Sequence, residues 1–570
     1  MNSYLQYCKP LFQLILACFA ANHLFAQGTE YSVSESESYW IRKIETESGR
    51  LLNTHTAILP SSDGRLIHEL MDRYMNYFNS DEELDTNAYN RLVLLHEFYP
   101  RSVSHPVLSS LAHLNSFKTH WKNLYQYRSH LFSYTSPHFF IHFNPLLELK
   151  TGIGGDRRTF INRRGIQLSG GIDKKVFFDS KIIETQCQLP GYTDDYVSVY
   201  ATLLGANFLK NYNSKIFKVT KGYDFLNAEA SVAFRASKHI DIRLGHGRNK
   251  IGSGLRSLFL SDDAAPYFYL KINTQIWKLN YQNLFAELSP ESKYLNTDYL
   301  LDKKYMAAHY LSCNLTKNWN IGIFESVIFS RKNRFDFQYL NPVILYRSVE
   351  QALGSPDNVL LGGSSRLILF KKIQLYTQLM LDEFVFKEVI RNNRGWWANK
   401  YGIQFGANYH HAFGIKNLEL LAEYNSVRPY TYSFRDSLAN YSHFNQSLAH
   451  PLGANFKEIL LGLNYLIGKN LFVQIKINQF SKGLDSLNTN YGGNILLSHE
   501  SRIKEYDNFT TQGIKQKVLF SQINLSYHLA YNVQLDLDYF YRKTETDSRK
   551  TSQWLQFGIR WNLDRLKMNF

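Results

Sequence analysis

The feature that most constrains the fold of this chain is a two-residue alternation of apolar and polar side chains after residue 135. Successive side chains of a β-strand point to opposite faces, so this pattern predicts strands with one apolar and one polar face. A strand that separates lipid from a polar lumen needs both faces. A soluble sandwich also alternates, but its apolar face carries fewer aromatic side chains. The clearest segments are 401–410, 519–529, 533–542 and 555–563.

The connections between the predicted strands alternate between short and long. The strands begin near residues 138, 165, 176, 228, 239, 265, 276, 303, 319, 366, 374, 400, 416, 457, 470, 518, 532 and 552. Short turns are predicted at 173–175, 237–239, 273–275, 316–318, 371–372, 414–415, 468–470 and 530–531, and long loops at 188–227, 246–264, 330–365, 425–456 and 480–517. Outer-membrane barrels have an even strand number, short periplasmic turns and long external loops. We therefore predict an all-β fold, an 18-stranded up-and-down transmembrane β-barrel.

The composition excludes two other classes of protein. Charged residues make up 20% of the 570 residues and aromatic residues 15%, whereas a disordered chain has many charges and few aromatics. After the N-terminus no stretch holds the roughly 20 uninterrupted apolar residues of a transmembrane helix. The net charge is +15, and no nucleic-acid-binding module is present, so we expect the basic excess to meet lipopolysaccharide phosphates or acidic polysaccharide. On the first external loop this excess includes Arg157, Arg158, Arg163 and Arg164.

The N-terminus predicts export to the outer membrane. A basic residue precedes an apolar run at 11–21, and Ala26 is the small residue that signal peptidase requires. Only Cys187 and Cys313 would remain after cleavage, too few for a disulfide framework or a cysteine-based zinc site. Amphipathic helices are predicted after Asp63 and near Leu92. The predicted regions are a signal peptide at 1–26, an N-terminal helical periplasmic or plug region at 27–135, and the barrel at 136–570.

Charged side chains within the strands are predicted to face the lumen. Glu419 and Glu423 lie four residues apart on one strand, about 13 Å, which is too far for a catalytic acid/base pair. His443 lies near a serine on one loop, but no acidic residue is spaced to orient it. Asp536 and Asp538 have no histidine or further acid at metal-ligand spacing. We predict no enzyme activity, no cofactor and no metal site, and we interpret the charges as cross-strand ion pairs in a polar lumen.

Three long loops carry motif-like sequence. One is GHGRNKIGSGLRSLFLSD at 245–262, which lacks the strand–loop–helix context of a phosphate site and predicts a tightly folded loop over or in the lumen. The second has FESV at 324–327 and YLNP at 339–342. The third has RPYTYS at 428–433 and HPLGAN at 450–455. Together these stretches resemble the capsule-assembly Wzi superfamily, and they are most similar to its RemB-like gliding-motility branch.

The resemblance extends from about residue 139 to residue 563 and implies an 18-stranded outer-membrane barrel with helical segments at its periplasmic end. Wzi-type members tie capsular polysaccharide to the outer membrane as surface lectins, whereas RemB-like members are surface components of the motility machinery. The resemblance implies no catalytic residues. The leading hypothesis is a non-enzymatic protein that assembles or anchors capsular polysaccharide or exopolysaccharide. The alternative is a gliding-motility surface component that binds a protein partner of the motility or secretion machinery.

The same loops hold the residue types that bind sugars. Aromatic rings stack on sugar faces, and amide and guanidinium groups bond sugar hydroxyls and carboxylates. The alternative is that these side chains order the long loops by hydrogen bonds. The candidate glycan-binding residues are Arg428, Tyr430, Tyr432, His443, Asn445 and His450. The candidate loop or plug residues are His246, Arg248, Arg256 and Asn341.

Overall fold

The computed structural model describes part of the N-terminal region and almost all of the barrel. The predicted signal segment, the helix predicted near Leu92 and most of the helix predicted after Asp63 lie outside the described residues. No helix among the described residues is long and apolar enough to cross a membrane. The described residues are 30–31, 35–59, 61–62, 69–70, 130–155, 157–173, 175–291, 301–331, 334–354, 356–385, 387–388, 394–468, 470–530 and 532–568.

Eighteen antiparallel strands form a closed barrel, which confirms the predicted fold. The last strand, Arg549–Trp561, pairs with the first, Phe139–Gly154, and closes the wall. Two short strands, Phe132–Thr135 and Lys210–Ser214, pair with Phe139–Gly154 and Val219–Arg235. The strands are β1 Phe139–Gly154, β2 Thr159–Ile172, β3 Val176–Gln188, β4 Val219–Arg235, β5 Ile240–Gly247, β6 Tyr267–Ile276, β7 Leu279–Leu288, β8 Lys304–Asn314, β9 Trp319–Phe329, β10 Asn358–Leu369, β11 Ile373–Glu383, β12 Lys400–His410, β13 Leu418–Val427, β14 Phe456–Ile467, β15 Leu471–Leu484, β16 Ile514–Ala530, β17 Val533–Glu545 and β18 Arg549–Trp561.

The two faces of the wall follow the alternation. In β18, Leu555 is 49% exposed and Phe557 is 56% exposed, whereas Gln556 between them is 1% exposed. The exposed set faces outward, where none of the described residues packs against it, and the buried set faces the filled lumen. An apolar outward face on neighbouring strands is the band that meets lipid in an outer-membrane barrel.

Three local predictions are wrong. The turn predicted at 273–275 lies inside β6, because these polar residues pair across to β7, and the chain turns instead at Trp277, whose φ is 54°. The first external connection is only 155–158, because Arg163 and Arg164 belong to β2, where they pair with acidic residues of neighbouring strands. Strand β18 ends at Trp561, so Leu563 does not continue its outward face.

Segments from several parts of the chain fill the lumen. Helix α1, Glu35–Ser48, lies at the short-turn end, where Arg42 forms a bidentate pair with Glu419 at 2.9 and 3.0 Å. The strand pair Ile58–Leu59 and Lys250–Ile251 joins the N-terminal region to the loop 248–266. The C-terminal tail after β18 turns inward, and Met568 packs in a lumen cluster with Trp554, Phe520 and Phe540.

Candidate functional site

The RPYTYS segment begins directly after β13, and its first residue joins three segments at the long-loop end. The Arg428 guanidinium donates to the carbonyl of Asn399 at 2.7 Å, to that of Trp396 at 3.2 Å and to that of Asn508 at 2.9 Å. Burial lowers the pKa of this guanidinium. Arg428 therefore holds the loop between β11 and β12 against the loop between β15 and β16.

The two tyrosines of the segment are buried beneath these loops. Tyr430 is 1% exposed and donates to Asn490 O at 3.0 Å, and Tyr432 is 0% exposed and donates to Leu258 O at 2.8 Å. Both have positive φ angles, 65° and 71°, which fold the segment back over the lumen. Burial raises the pKa of Tyr430 to about 12. Neither ring has a free face for a sugar.

The histidines of the same connection are also enclosed. The Nδ1 atom of His443 accepts from the backbone N–H of Ser289 at 3.0 Å, and its Nε2 donates to Pro266 O at 3.2 Å. Burial lowers the pKa of His443 to about 3, so its ring is neutral. His450 lies 2.7 Å from the Glu458 carboxylate and is 0% exposed.

The remaining five candidates do not form one cluster. Asn445 donates to Tyr200 O at 3.0 Å, at the end of helix α2, Tyr192–Tyr200. Arg248 donates to Gly205 O at 3.1 Å. Arg256 is 4% exposed inside the lumen, and its guanidinium lies 3.6 Å from Glu458. His246 lies near the end of β5 and Asn341 lies exposed on a loop against the outer wall, so neither of them plugs the lumen.

Most of the candidates thus lie together in the buried core of the long loops. Their role in sugar binding stays a prediction. The surface above them carries different residues. We call it the tryptophan surface, and it consists of Arg394, Trp396, Trp397, Arg502, Tyr506 and Phe509.

Two loops form the tryptophan surface by pairing their backbones. Trp397 N–H donates to Glu505 O at 2.9 Å, and Asn508 N–H donates to Gly395 O at 2.9 Å. Gly395 has a φ of +66°, and a Cβ there would lie 2.9 Å from two backbone atoms of Asn508. Only glycine fits this close approach without a shift of the backbone. The pairing fixes the aromatic side chains on a rigid support.

The side chains of this surface combine aromatic faces with cations. The Arg502 guanidinium lies 3.9 Å from the Trp397 ring centroid, and that of Arg394 lies 4.7 Å from the Tyr506 ring. Trp396 and Trp397 are half-buried, and Phe509 is 53% exposed. Sequence reasoning missed this surface, although the Gly395-Trp396-Trp397 run between two strands is a signal for it.

The lumen offers little room for a ligand beside its ion pairs. Lys150 lies 2.7 Å from Asp538 and 3.0 Å from Asp536, and Arg560 lies 2.8 Å from Asp536. Glu423 accepts the backbone N–H of Leu255 at 2.8 Å, so it anchors the loop 248–266. A cavity of about 230 Å³ remains between these segments. The described residues contain no cluster of three His, Cys, Asp or Glu side chains that could hold a metal ion.

The fold is similar to that of Wzi from Escherichia coli, which is described as an outer-membrane protein involved in group 1 capsule assembly and a carbohydrate-binding β-barrel. The two chains are 10% identical with a TM-score of 0.54, over 94% of this chain and 100% of Wzi. This chain is an outer-membrane β-barrel. OprD and OccK8 of Pseudomonas aeruginosa are each 8% identical with TM-scores of 0.39, over 74% and 73% of this chain and 94% and 97% of theirs. No family model and no curated protein matches the sequence.

Proposed function

We propose that the protein is a non-enzymatic surface protein that binds polysaccharide and so assembles or anchors it at the outer membrane. The observation that supports this most is the tryptophan surface, where aromatic rings and guanidinium groups lie together on a rigid pair of loops. Indole and phenol faces stack on the C–H faces of sugar rings, and arginine bonds hydroxyl and carboxylate groups. Wzi, which has the same fold, is described as carbohydrate-binding.

The buried candidates support the proposal because they hold the tryptophan surface in place, although their residue types suggest direct contact with sugar. Arg428 contacts the carbonyl of Trp396 and that of Asn508, one on each loop of the tryptophan surface. Tyr430 lies below it, and its ring is 6.4 Å from the Trp397 ring, perpendicular to it. We assign both as positioning residues, which hold the sugar-binding side chains and do not touch the glycan.

The test is a titration of the purified, folded barrel with surface polysaccharide from the producing cells. Trp396→Ala and Arg394→Ala should each weaken binding at least about tenfold, since a stacking face or a charged hydrogen-bond donor is lost. Trp277→Ala is the matched control, because Trp277 is 78% exposed on a short turn at the opposite end. Heat-modifiable migration on gels checks that every variant keeps its barrel.

Binding that survives both substitutions would remove this surface as the site. An absence of binding by the wild-type protein would contradict the polysaccharide proposal and favour the gliding-motility alternative, the role that the RemB-like resemblance implies.

A further inference from the structure

The loop between β9 and β10 does not cover the lumen but packs against the outer wall of the barrel. It carries a short 3₁₀ turn, Phe337–Leu340, and helix α3, Tyr346–Ala352. Its two ends are joined by a bidentate pair of Arg331 and Asp357, with both distances 2.6 Å. We call residues 334–354 of this loop the side flap.

Three contacts place the side flap on the outward face of β7, β8 and β9. The Tyr281 hydroxyl donates to Pro342 O at 2.5 Å, the Tyr346 ring lies 3.9 Å from the His309 ring, and the Arg347 N–H donates to Glu325 at 2.9 Å. The face is the outward one because Glu325 is two residues from Ile323, which is 64% exposed on the same side of β9.

The side flap covers polar side chains at membrane depth. Asn283, His309 and Glu325 lie side by side on the outward face of three strands, and they are 2%, 6% and 4% exposed. Glu325 lies four residues from the long-loop end of β9, roughly 13 Å along the strand. The apolar band of a barrel is about 25 Å tall, so these side chains would face acyl chains if the flap were absent.

The outer surface of the side flap is poorly suited to lipid. Phe337 is 80% exposed, Val343 81% and Leu345 69%, but the Arg347 side chain beside them, which pairs with Glu350 at 2.8 Å, is 60% exposed. Much of the flap is irregular backbone. Irregular backbone and charged side chains are costly against acyl chains, and such segments at membrane depth are found buried in protein. No part of the chain that the structure describes covers this surface, which therefore calls for another protein surface.

The same side of the barrel carries an apolar groove of about 620 Å³ in the outward face of β10 to β14. It lies next to the side flap, because β10 pairs with β9. Its floor is formed by the small side chains of two central strands, and its walls by larger apolar ones. The lining includes Leu367, Leu375, Phe405, Ala407, Ala422 and Ile459.

We propose that a second copy of this chain covers the side flap, with the flap of each copy seated in the groove of the other about a two-fold axis. A two-fold interface requires one patch that carries both complementary halves, and this side of the barrel has an apolar ridge and an apolar groove next to each other. Phe337, Val343 and Leu345 supply the ridge. The proposal goes beyond polysaccharide binding and does not depend on it.

Disulfide trapping between two differently tagged copies, co-expressed in the outer membrane, tests this arrangement. One copy carries Val343→Cys and the other Ala407→Cys on the groove floor, both in a Cys313→Ala background. We expect an oxidised species of twice the chain mass that contains both tags. The matched control replaces Ala407→Cys by Leu537→Cys, an outward residue of β17, on the opposite side of the barrel, and should give no such species.

Two further measurements decide the remaining outcomes. The wild-type protein in lipid nanodiscs should have the mass of a dimer by light scattering, and Leu345→Arg should convert it to a monomer that keeps heat-modifiable migration. A bimane label on Val343→Cys should not be quenched by brominated acyl chains. A monomeric wild type, strong quenching by brominated lipid, or a cross-linked species that contains only one tag would each overturn the proposal.

Discussion

The barrel wall and the segments that fill it are stabilised by different interactions. The wall exposes apolar side chains such as Leu555 and Phe557 to lipid, and its strands are joined by a continuous backbone ladder. The filling is held by single side chains that reach across long distances in sequence, such as Arg42 to Glu419 and Tyr432 to Leu258. A substitution in the wall therefore acts through lipid, whereas one in the filling acts through a few specific hydrogen bonds.

The side flap shows where this division fails. Strands β8 and β9 point His309 and Glu325 outward, in positions that the alternation assigns to lipid, and the side flap covers both side chains. An outward position in a barrel strand is thus a lipid position only where no loop folds back over it.

The largest effect that we predict is a loss of barrel stability when a charge is placed on the lipid-facing side of the wall. Leu555→Arg places a charge at the middle of the outward face of β18 and should destabilise the barrel by about 2–4 kcal/mol. Gln556→Arg on the lumen face should cost less, because Glu148, Asp538 and Asn524 line the same lumen cavity. Unfolding titrations in lipid vesicles measure both. Equal losses at the two sites would mean that β18 does not separate lipid from lumen.

The next effect concerns a buried histidine of the filling. The pKa of His443 is lowered by burial to about 3, against about 6.5 in the unfolded chain. As the pH falls, the histidine is therefore protonated in the unfolded chain before it is protonated in the folded protein. The free energy of unfolding is highest above pH 6.5 and decreases as the pH drops toward 3. At pH 4.5 the loss from this one residue is about 2–3 kcal/mol.

Thermal unfolding at pH 7 and pH 4.5 measures this loss. His443→Gln retains an acceptor for the Ser289 N–H and a donor for Pro266 O but takes up no proton, so its pH dependence should be weaker than that of the wild type. An identical pH dependence in the two proteins would show that His443 is not held neutral in the fold.

A smaller effect tests whether Arg428 positions the two loops of the tryptophan surface. Arg428→Ala removes three hydrogen bonds to buried carbonyls and should cost about 1–3 kcal/mol. The loss should be local, seen as faster hydrogen exchange at 394–399 and 504–509, while the barrel strands stay protected. Arg428→Lys keeps the charge but loses the fork, so we expect an intermediate exchange rate. Unchanged exchange in both variants would contradict the positioning role.

The wall could be predicted from the sequence because each strand repeats one simple rule. Period two, together with alternating short and long connections, places 18 strands, and most of their starts agree with the structure within a few residues. The exceptions are informative. Residues 273–275 resemble a turn by their polarity, but their backbone groups pair with β7. This pairing between strands determines their structure, although their side chains favour a turn.

The filling could not be predicted in the same way, since its contacts join residues far apart in sequence. Nothing local distinguishes an exposed tyrosine from Tyr432, which bonds Leu258 on another loop, and residue type alone therefore suggested sugar contact. The tryptophan surface was not predicted from the sequence for the same reason. Trp397 and Arg502 come together only because two separate loops pair their backbones.

The smallest effect that we predict concerns which loops extend beyond the filled end of the barrel. Ile216 is 87% exposed at the tip of a hairpin that leads into β4, and Lys504 lies exposed near the tryptophan surface. Trypsin added to intact cells should therefore cut beside Ile216, at Lys215 or Lys218, and at Lys504, within the predicted external loops 188–227 and 480–517. It should spare Lys175 and Lys371 on short turns until the outer membrane is permeabilised. Cleavage at Lys371 in intact cells would reverse the orientation of the barrel, and protection of Lys215 and Lys504 would mean that a partner or polysaccharide covers the long-loop end. Peptide mapping by mass spectrometry separates these results, because each cut leaves fragments of different mass.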